Sequence, residues 1–456
     1  MNALVFSALS GVVMMFSGFA LKTRPAIRAL AVVLLLAVLG GAVLDLRGLT
    51  LIQVPVEGMM RFDRFASLFM VVASFCTLAY FLLSARDMEA VGEHYNEYFA
   101  LIFFILTGVA MTASFQSLLI LFLGVEILSI PLYILAGTEK RNLKSNEASL
   151  KYFLMGSFST GLMLMGIALV YGATGTFRTG VMPAAEQVPV LLIAGMMLLL
   201  FALSFKVSAA PFHFWTPDVY DGSPTVFTSF MATVVKAAGF IGFMRLFNDS
   251  FSGIASQWKL LVAIIVAATL FVGNLTAVFQ QSVKRMLAYS SIAQAGFMMM
   301  AVYALNSDAY EGMILYAAAY SLATIGIFAV LVRMQDQSFE GFNGFARQQP
   351  LVAGALVIFV LSLAGIPLTA GFLSKFYMLR ATLESGSMLL AIFAVLMAAV
   401  SVYYYFRLLQ AMYFREGNSG ASIQLSAGFK AILVAMAAIT ILLGLFPSLL
   451  TNWLYF

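Results

Sequence analysis

Glu126, Lys206, Lys236 and Lys375 are charged residues inside otherwise apolar stretches, which read LILFLGVEILSIPLYIL, LLLFALSFKVSAAPF, FTSFMATVVKAAGFIGF and IPLTAGFLSKFYML. A charge at bilayer depth is costly and marks an ion path, a proton relay or a paired structural site. Glu126 and Lys206 form the natural pair. Low dielectric disfavours the charged form of each, whereas proximity favours both charged forms, so a pair that opens and closes exchanges proton affinity. A static ion pair orienting two helices uses the same residues. Lys236 stands alone in its segment, as a relay that is neutral for part of a cycle or as an ammonium snorkelling to the interface. Lys375 lies five residues before Arg380, as an exit site or as another snorkelling lysine.

Further polar residues sit beside these charges. His213 follows Pro211, and a histidine suits proton shuttling near neutrality; capping broken backbone is the alternative. Ser204, Ser208 and Thr216 are placed to hydrogen-bond freed carbonyls or water. Asp218 and Asp221, in TPDVYDGSPT, read as shaping a loop mouth. Tyr289, Ser290, Ser291 and Gln294 form a polar strip, in which Ser290 and Gln294 share one helical face. These two can position water between Lys236 and Lys375, or make a helix–helix hydrogen-bond seam.

The elements that must hold these side chains are membrane helices. The chain has 456 residues, 62% hydrophobic and only 10% charged, against about 25% charged in soluble domains. Runs of about 20 apolar residues give fourteen spans: 2–21, 27–46, 61–83, 98–114, 117–136, 148–171, 188–209, 225–247, 260–280, 284–305, 311–332, 350–378, 387–413 and 429–451. The N-terminal stretch lacks a cleavable-signal pattern and reads as the first span. Pro211 breaks one span just after Lys206, and Gly365 with Pro367 breaks another before Lys375. Broken helices at bilayer depth are tolerated only in a protein interior or beside a water-filled cavity. Each break falls late in a block of about five helices, 98–247 and 260–413, flanked by N-terminal helices over 1–90 and a C-terminal helix at 429–451. Paired discontinuous helices of this kind point to an inverted-repeat transporter fold, all-α and polytopic. Lys and Arg concentrate in the odd-numbered loops (Lys22, Arg24, Lys140, Arg141 and Lys144 among them), which places those loops in the cytoplasm and both termini on the opposite side.

Composition also excludes functions. The single cysteine, Cys76, lies in an apolar run, and the two histidines, His94 and His213, are far apart in sequence, which argues against an iron–sulfur cluster, a zinc site or haem. No glycine-rich phosphate loop is present, so NADH, flavin and ATP have no place here. The net charge of +5 is spread over short loops without a groove for nucleic acid. The 27 methionines, Met298, Met299 and Met300 among them, read as packing residues.

The segment KVSAAPFHFWTPDVYDGSPT (206–225), with VVKAAGF at Lys236, KRMLAYSSIAQAG (284–296) and AGIPLTAGFLSKF (364–376), resembles the subunit N family of antiporter-like membrane subunits of proton-pumping NADH–quinone oxidoreductase, respiratory complex I. The likeness runs from about residue 60 onward, and VYDGSPT favours this family over its larger relatives and over multisubunit cation/proton antiporters. It implies fourteen helices with two inverted five-helix repeats, and a multi-pass place in a bacterial inner membrane with both termini periplasmic. It further implies a translocase subunit without a redox centre, since NADH, FMN, iron–sulfur clusters and quinone belong to partner subunits. Neighbouring antiporter-like and small membrane subunits, and lipids, are the implied partners. Glu126 and Lys206 match the family's coupling pair, Lys236 its central lysine and Lys375 its terminal lysine. Gln294 departs from the histidine found in many relatives, so proton transfer there must use water ordered by Gln294 and Ser290. A cation/proton antiporter subunit and an inert scaffold with buried ion pairs remain the alternative functions.

Overall fold

The computed structural model describes residues 1–181, 188–417 and 423–455 and consists of helices, with no strand among the described residues beyond isolated bridges. In chain order the helices are α1 (Asn2–Ala20), α2 (Arg24–Leu46), α3 (Arg64–Val91), α4 (Tyr95–Ser114), α5 (Leu118–Ala136), α6 (Leu143–Thr174), α7 (Val190–Lys206), α8 (Trp215–Gly222), α9 (Thr225–Phe230), α10 (Lys236–Phe251), α11 (Ala255–Val278), α12 (Val283–Ala304), α13 (Ser307–Leu331), α14 (Phe345–Gln348), α15 (Pro350–Ala364), α16 (Ala370–Glu384), α17 (Met388–Phe414), α18 (Ala427–Leu445) and α19 (Ser448–Thr451). Eleven helical segments among the described residues are long and apolar enough to cross a membrane, one of them the 54-residue run Thr225–Val278. The apolar helices α7 and α15 are shorter because each stops at a break. The result is an all-α polytopic membrane protein.

Position in the bundle follows the side chains. Helix α13 is buried along the whole of its apolar stretch, and α12 nearly so, which makes this pair the centre. Helices α1, α2, α17 and α18 are largely peripheral. Large apolar residues such as Phe158, Leu260, Ile264 and Leu389 face outward, as a lipid or partner surface requires. Close packing fixes α7 against α6. A Cβ on Gly166 would lie 2.9 Å from the Gly195 carbonyl oxygen, and one on Gly195 would lie 2.8 Å from the Gly166 carbonyl oxygen. Of the three glycines at 156, 161 and 166, Gly156 abuts the Tyr133 side chain and Gly161 faces open space.

Both breaks fall at the proline-containing segments. Helix α7 ends at Lys206, the Ala210–Pro211 peptide is cis, and the Ala210 amide is taken by Thr269 Oγ1 of α11 at 2.8 Å. The Phe205 carbonyl, in the last turn before the break, accepts from Ser208 N at 3.0 Å and from Trp215 Nε1 at 3.2 Å. Helix α15 ends at Ala364, and Gly365 turns the chain with φ +83° before α16 begins at Ala370. A Cβ at 365 would lie 2.9 Å from Lys375 Cδ. Gly365→Ala is therefore expected to cost about 1–3 kcal/mol of backbone strain and to displace Lys375. Reduced abundance of the chain in the assembled complex, with a lower melting temperature, would confirm this; unchanged values would refute it.

Candidate proton-relay site

Helices α5, α6 and α7 build the first part of the site. Glu126, Ser129 and Tyr133 lie three and seven residues apart on α5 and so share a face. Lys206 closes α7, where the last carbonyls of a helix favour a cation. Its Nζ lies 3.8 Å from Glu126 Oε1 and donates to Ser129 Oγ at 3.1 Å and Tyr133 Oη at 3.3 Å. Glu126 Oε1 also accepts from Thr160 Oγ1 of α6 at 2.6 Å. At 3.8 Å the ions are in loose contact, and the tighter hydrogen bonds go to neutral groups. Lys206 can therefore move off Glu126 without losing all its acceptors.

The break beyond Lys206 gathers polar groups. Ser204 Oγ, Ser208 Oγ, His213 Nδ1 and Thr216 Oγ1 are buried and make no hydrogen bond among the described residues. Buried polar groups of this kind are normally satisfied, by water if not by protein. His213 does not cap the broken backbone through Nδ1; its ring stacks on Phe214 at 4.5 Å. Asp218 and Asp221 lie on helix α8, not in a loop as the sequence suggests, because the segment after the break winds up again. Asp218 pairs with Lys151 at 2.9 Å and Arg285 at 3.2 Å, and Asp221 reaches Arg285 at 3.8 Å.

Lys236 begins α10 directly after a π-helical turn, Met231–Val235. Such turns are frequent at functional sites, because one extra residue re-aims the side chains that follow. One turn on, Gly239 packs on Val207, next to Lys206, with 3.0 Å between its would-be Cβ and Val207 Cγ1. Lys236 is 3% exposed, so it does not snorkel. Nor does it stand alone. Its Nζ donates to the Ser291 carbonyl at 3.0 Å and to Ser291 Oγ, and lies 5.7 Å from the centre of the Tyr220 ring. Ser291 is thus the polar-strip residue that meets Lys236. Ser290 turns the other way and bonds Tyr405 Oη at 2.5 Å.

Gln294, one turn beyond Ser291, joins the two halves. Its Nε2 donates to the Leu363 carbonyl at 2.9 Å and lies 3.0 Å from Tyr405 Oη, while its Oε1 accepts from Tyr316. The same Leu363 carbonyl accepts from Lys375 Nζ at 2.8 Å, and the Ala364 carbonyl accepts at 3.1 Å. These are the terminal carbonyls of α15, exposed by the Gly365 turn, so Lys375 caps the break instead of snorkelling. Its Nζ also lies 4.8 Å from the Phe297 ring centre. A small cavity of about 10 Å³, lined by Gln294, Tyr316, Tyr320, Ser374 and Lys375, has room for roughly one water molecule. Polar groups therefore run from Lys236 through Ser291, Gln294 and the Leu363 carbonyl to Lys375.

Sequence reasoning missed the tyrosines at 133, 220, 316 and 405, which supply ring faces and hydroxyls to this path. The spacing of Tyr133 from Glu126 was the one available signal. Lys284, at the start of α12, is also buried; its Nζ caps the end of α8 through the carbonyls of Asp221 at 2.8 Å and Ser223 at 2.7 Å. Among the described residues no group of three His, Cys, Asp or Glu side chains could hold a metal ion.

Gln294→Leu removes the hydrogen bond linking α12 to the Leu363 carbonyl, with those to Tyr405 and Tyr316, at similar side-chain volume. A lost hydrogen bond worth about 1–1.5 kcal/mol corresponds to about tenfold in rate if expressed at the transfer step. Proton translocation by vesicles with normal chain content is expected to fall by that order. Unaltered translocation would remove Gln294 from the path.

Residues 115–401 match the family profile described as NADH:quinone oxidoreductase/Mrp antiporter, TM. The chain is 38% identical to NADH-quinone oxidoreductase subunit N of Cytophaga hutchinsonii, over 99% of this chain and 98% of that protein. It is 39% identical to the subunit N of Trichlorobacter lovleyi, over 86% and 82% of the two chains. A chain of respiratory complex I from Thermus thermophilus with bound aureothin superposes with a TM-score of 0.83 at 32% identity, covering 99% of this chain and 98% of that one. A chain of the Mrp complex from Dietzia superposes at TM-score 0.86 with 20% identity, covering 99% and 96%, a likeness of fold.

Proposed function

The chain belongs to the NADH-quinone oxidoreductase subunit N family, and from that premise we propose that it is a proton-translocating membrane subunit driven by quinone reduction in partner subunits. Carrying most weight is the placement of both lysines against one face of α12: Lys236 bonds Ser291, and one turn on Gln294 bonds the same helix-break carbonyl as Lys375. Moving one charge against the membrane potential costs about 2.3 kcal/mol per 100 mV. The chain's residues can store and hand on a proton, but the work must come from partners, where NADH, FMN, iron–sulfur clusters and quinone react.

In this reading the Glu126–Lys206 contact is the switch. Its opening changes the field at Lys236, on the neighbouring element. Lys236 then releases a proton toward Ser291 and Gln294, and Lys375 delivers it to the far side. The orphaned hydroxyls and His213 around the first break would carry water inward. The fold we propose is fourteen spans, counting α7 with α8 and α15 with α16 as broken spans, with inverted five-helix groups at 98–247 and 260–413. Residues 1–90 and 429–451 flank them. The chain would lie in a bacterial inner membrane beside other antiporter-like and small membrane subunits, with both termini periplasmic, as the Lys and Arg distribution supports.

A cation/proton antiporter is the second reading, supported by the family's breadth and the shared fold. It is disfavoured because a dehydrated hard cation prefers oxygen ligands and, of the four charges set in apolar runs, only Glu126 is a carboxylate. The complex purified through this chain and sealed into vesicles decides between them. NADH-dependent quinone reduction that acidifies the lumen without Na⁺ or K⁺ is expected; acidification requiring a cation gradient and indifferent to NADH would establish the antiporter.

A further inference from the structure

A groove at the edge of the bundle, lined by none of the buried lysines, lies between α2, α3 and the start of α18. Its volume is about 930 Å³. It adjoins a second cavity of about 350 Å³, with which it shares Asp87, Arg333 and Gln424. Polarity is graded in the same direction on all three helices. On α2, which starts at this end, Arg28 precedes Val32 and Val33. On α3, which finishes here, Leu82 precedes Arg86. On α18, which starts here, the N-cap Ser426 precedes Ile432. These pairs are four to six residues apart, so an apolar side chain lies about 6–9 Å deeper along each axis than the polar one.

The guanidiniums are not equivalent. Arg28 is tied to Glu89 at 3.0 Å, and Arg333 to Asp87 at 3.2 Å with its guanidinium 3.8 Å from the Phe429 ring centre. Arg86 is exposed and forms no ion pair among the described residues. Three guanidiniums against two carboxylates leave an excess positive charge at the polar end. Below it Val33 and Leu82 are 61% and 47% exposed. A ligand that complements this must carry an anion at one end and an aliphatic body at the other.

We propose that this groove binds one anionic phospholipid, its phosphate on Arg86 beside the Arg28–Glu89 and Arg333–Asp87 pairs and its chains along Val33, Leu82 and Ile432. Basic pockets between membrane helices take anionic headgroups in this way, and the volume is in the range of small-molecule sites. The groove opens on the side of the loops richest in Lys and Arg, the leaflet in which anionic lipids are attracted. The inference rests on the chain being membrane-embedded and is independent of the proton path.

The test measures phospholipid retained by the intact complex after detergent purification, by mass spectrometry of its extract, in the unaltered protein and in Arg86→Glu, Arg86→Lys and Val33→Trp. Delipidated complex is then titrated with vesicles of phosphatidylglycerol or of phosphatidylcholine. Arg86→Glu and Val33→Trp are expected to lose about one anionic phospholipid per complex, and Arg86→Lys to keep it, with rebinding from phosphatidylglycerol only. If Val33→Trp fails to assemble, the Arg86 pair, differing at an exposed position, decides. Equal retention in Arg86→Glu and Arg86→Lys would overturn the proposal. So would equal rebinding from phosphatidylcholine, or a partner-subunit segment seated in the groove of the assembled complex.

Discussion

Glu126→Gln is expected to reduce coupled proton translocation by more than tenfold while the complex assembles in nearly normal amount. Glutamine keeps the volume of the side chain and an oxygen to accept from Thr160, 2.6 Å away in the native site. Lys206 keeps Ser129 and Tyr133 as acceptors. What disappears is the negative charge 3.8 Å from the ammonium. Unit charges at about 4 Å attract by about 4 kcal/mol at an effective dielectric of 20, and only a charge, not an amide, makes that attraction depend on whether the pair is open. Translocation in vesicles and chain content of the same membranes are the two readings to compare. If both fall in parallel, the pair orients helices and does nothing more.

Much of this site is legible in the sequence because buried charge is rare and therefore conspicuous. Four charged side chains in apolar runs, two of them beside proline breaks, name the positions at which chemistry is possible. The breaks themselves are legible for the same local reason, since proline removes a donor and glycine admits a positive φ. The partners are not legible. Ser290 and Ser291 are adjacent and chemically alike, and only the rotation of α12 against α10 and α17 decides that Ser291 faces Lys236 and Ser290 faces Tyr405. Lys375 looks like a side chain able to reach an interface until the fold folds α16 back onto the end of α15. Gln294 marks a gap in a histidine-based route, yet its amide meets the carbonyl that Lys375 uses. Lys284 escapes notice because it begins a helix and resembles the loop charges around it. In each case tertiary packing selects among residues that local pattern leaves equivalent.

The central claim is that Lys236 gives up and regains a proton as the machine turns. Lys236→Met removes that proton while preserving an unbranched side chain of similar reach. It strands the Ser291 acceptors at a cost of about 1–3 kcal/mol, which a bundle packed along all of α12 and α13 should bear. Lys236→Arg is the more discriminating change. A guanidinium retains the cation and can donate to Ser291, but it is not deprotonated in proteins. A structural cation would be rescued by arginine, whereas a relay would not. The decisive measurement is NADH-driven acidification of sealed vesicles, normalised to assembled complex, for the unaltered protein and both variants. We expect both Lys236→Met and Lys236→Arg to fall to a tenth or less of the native rate; native-rate acidification by fully assembled Lys236→Arg would contradict the relay.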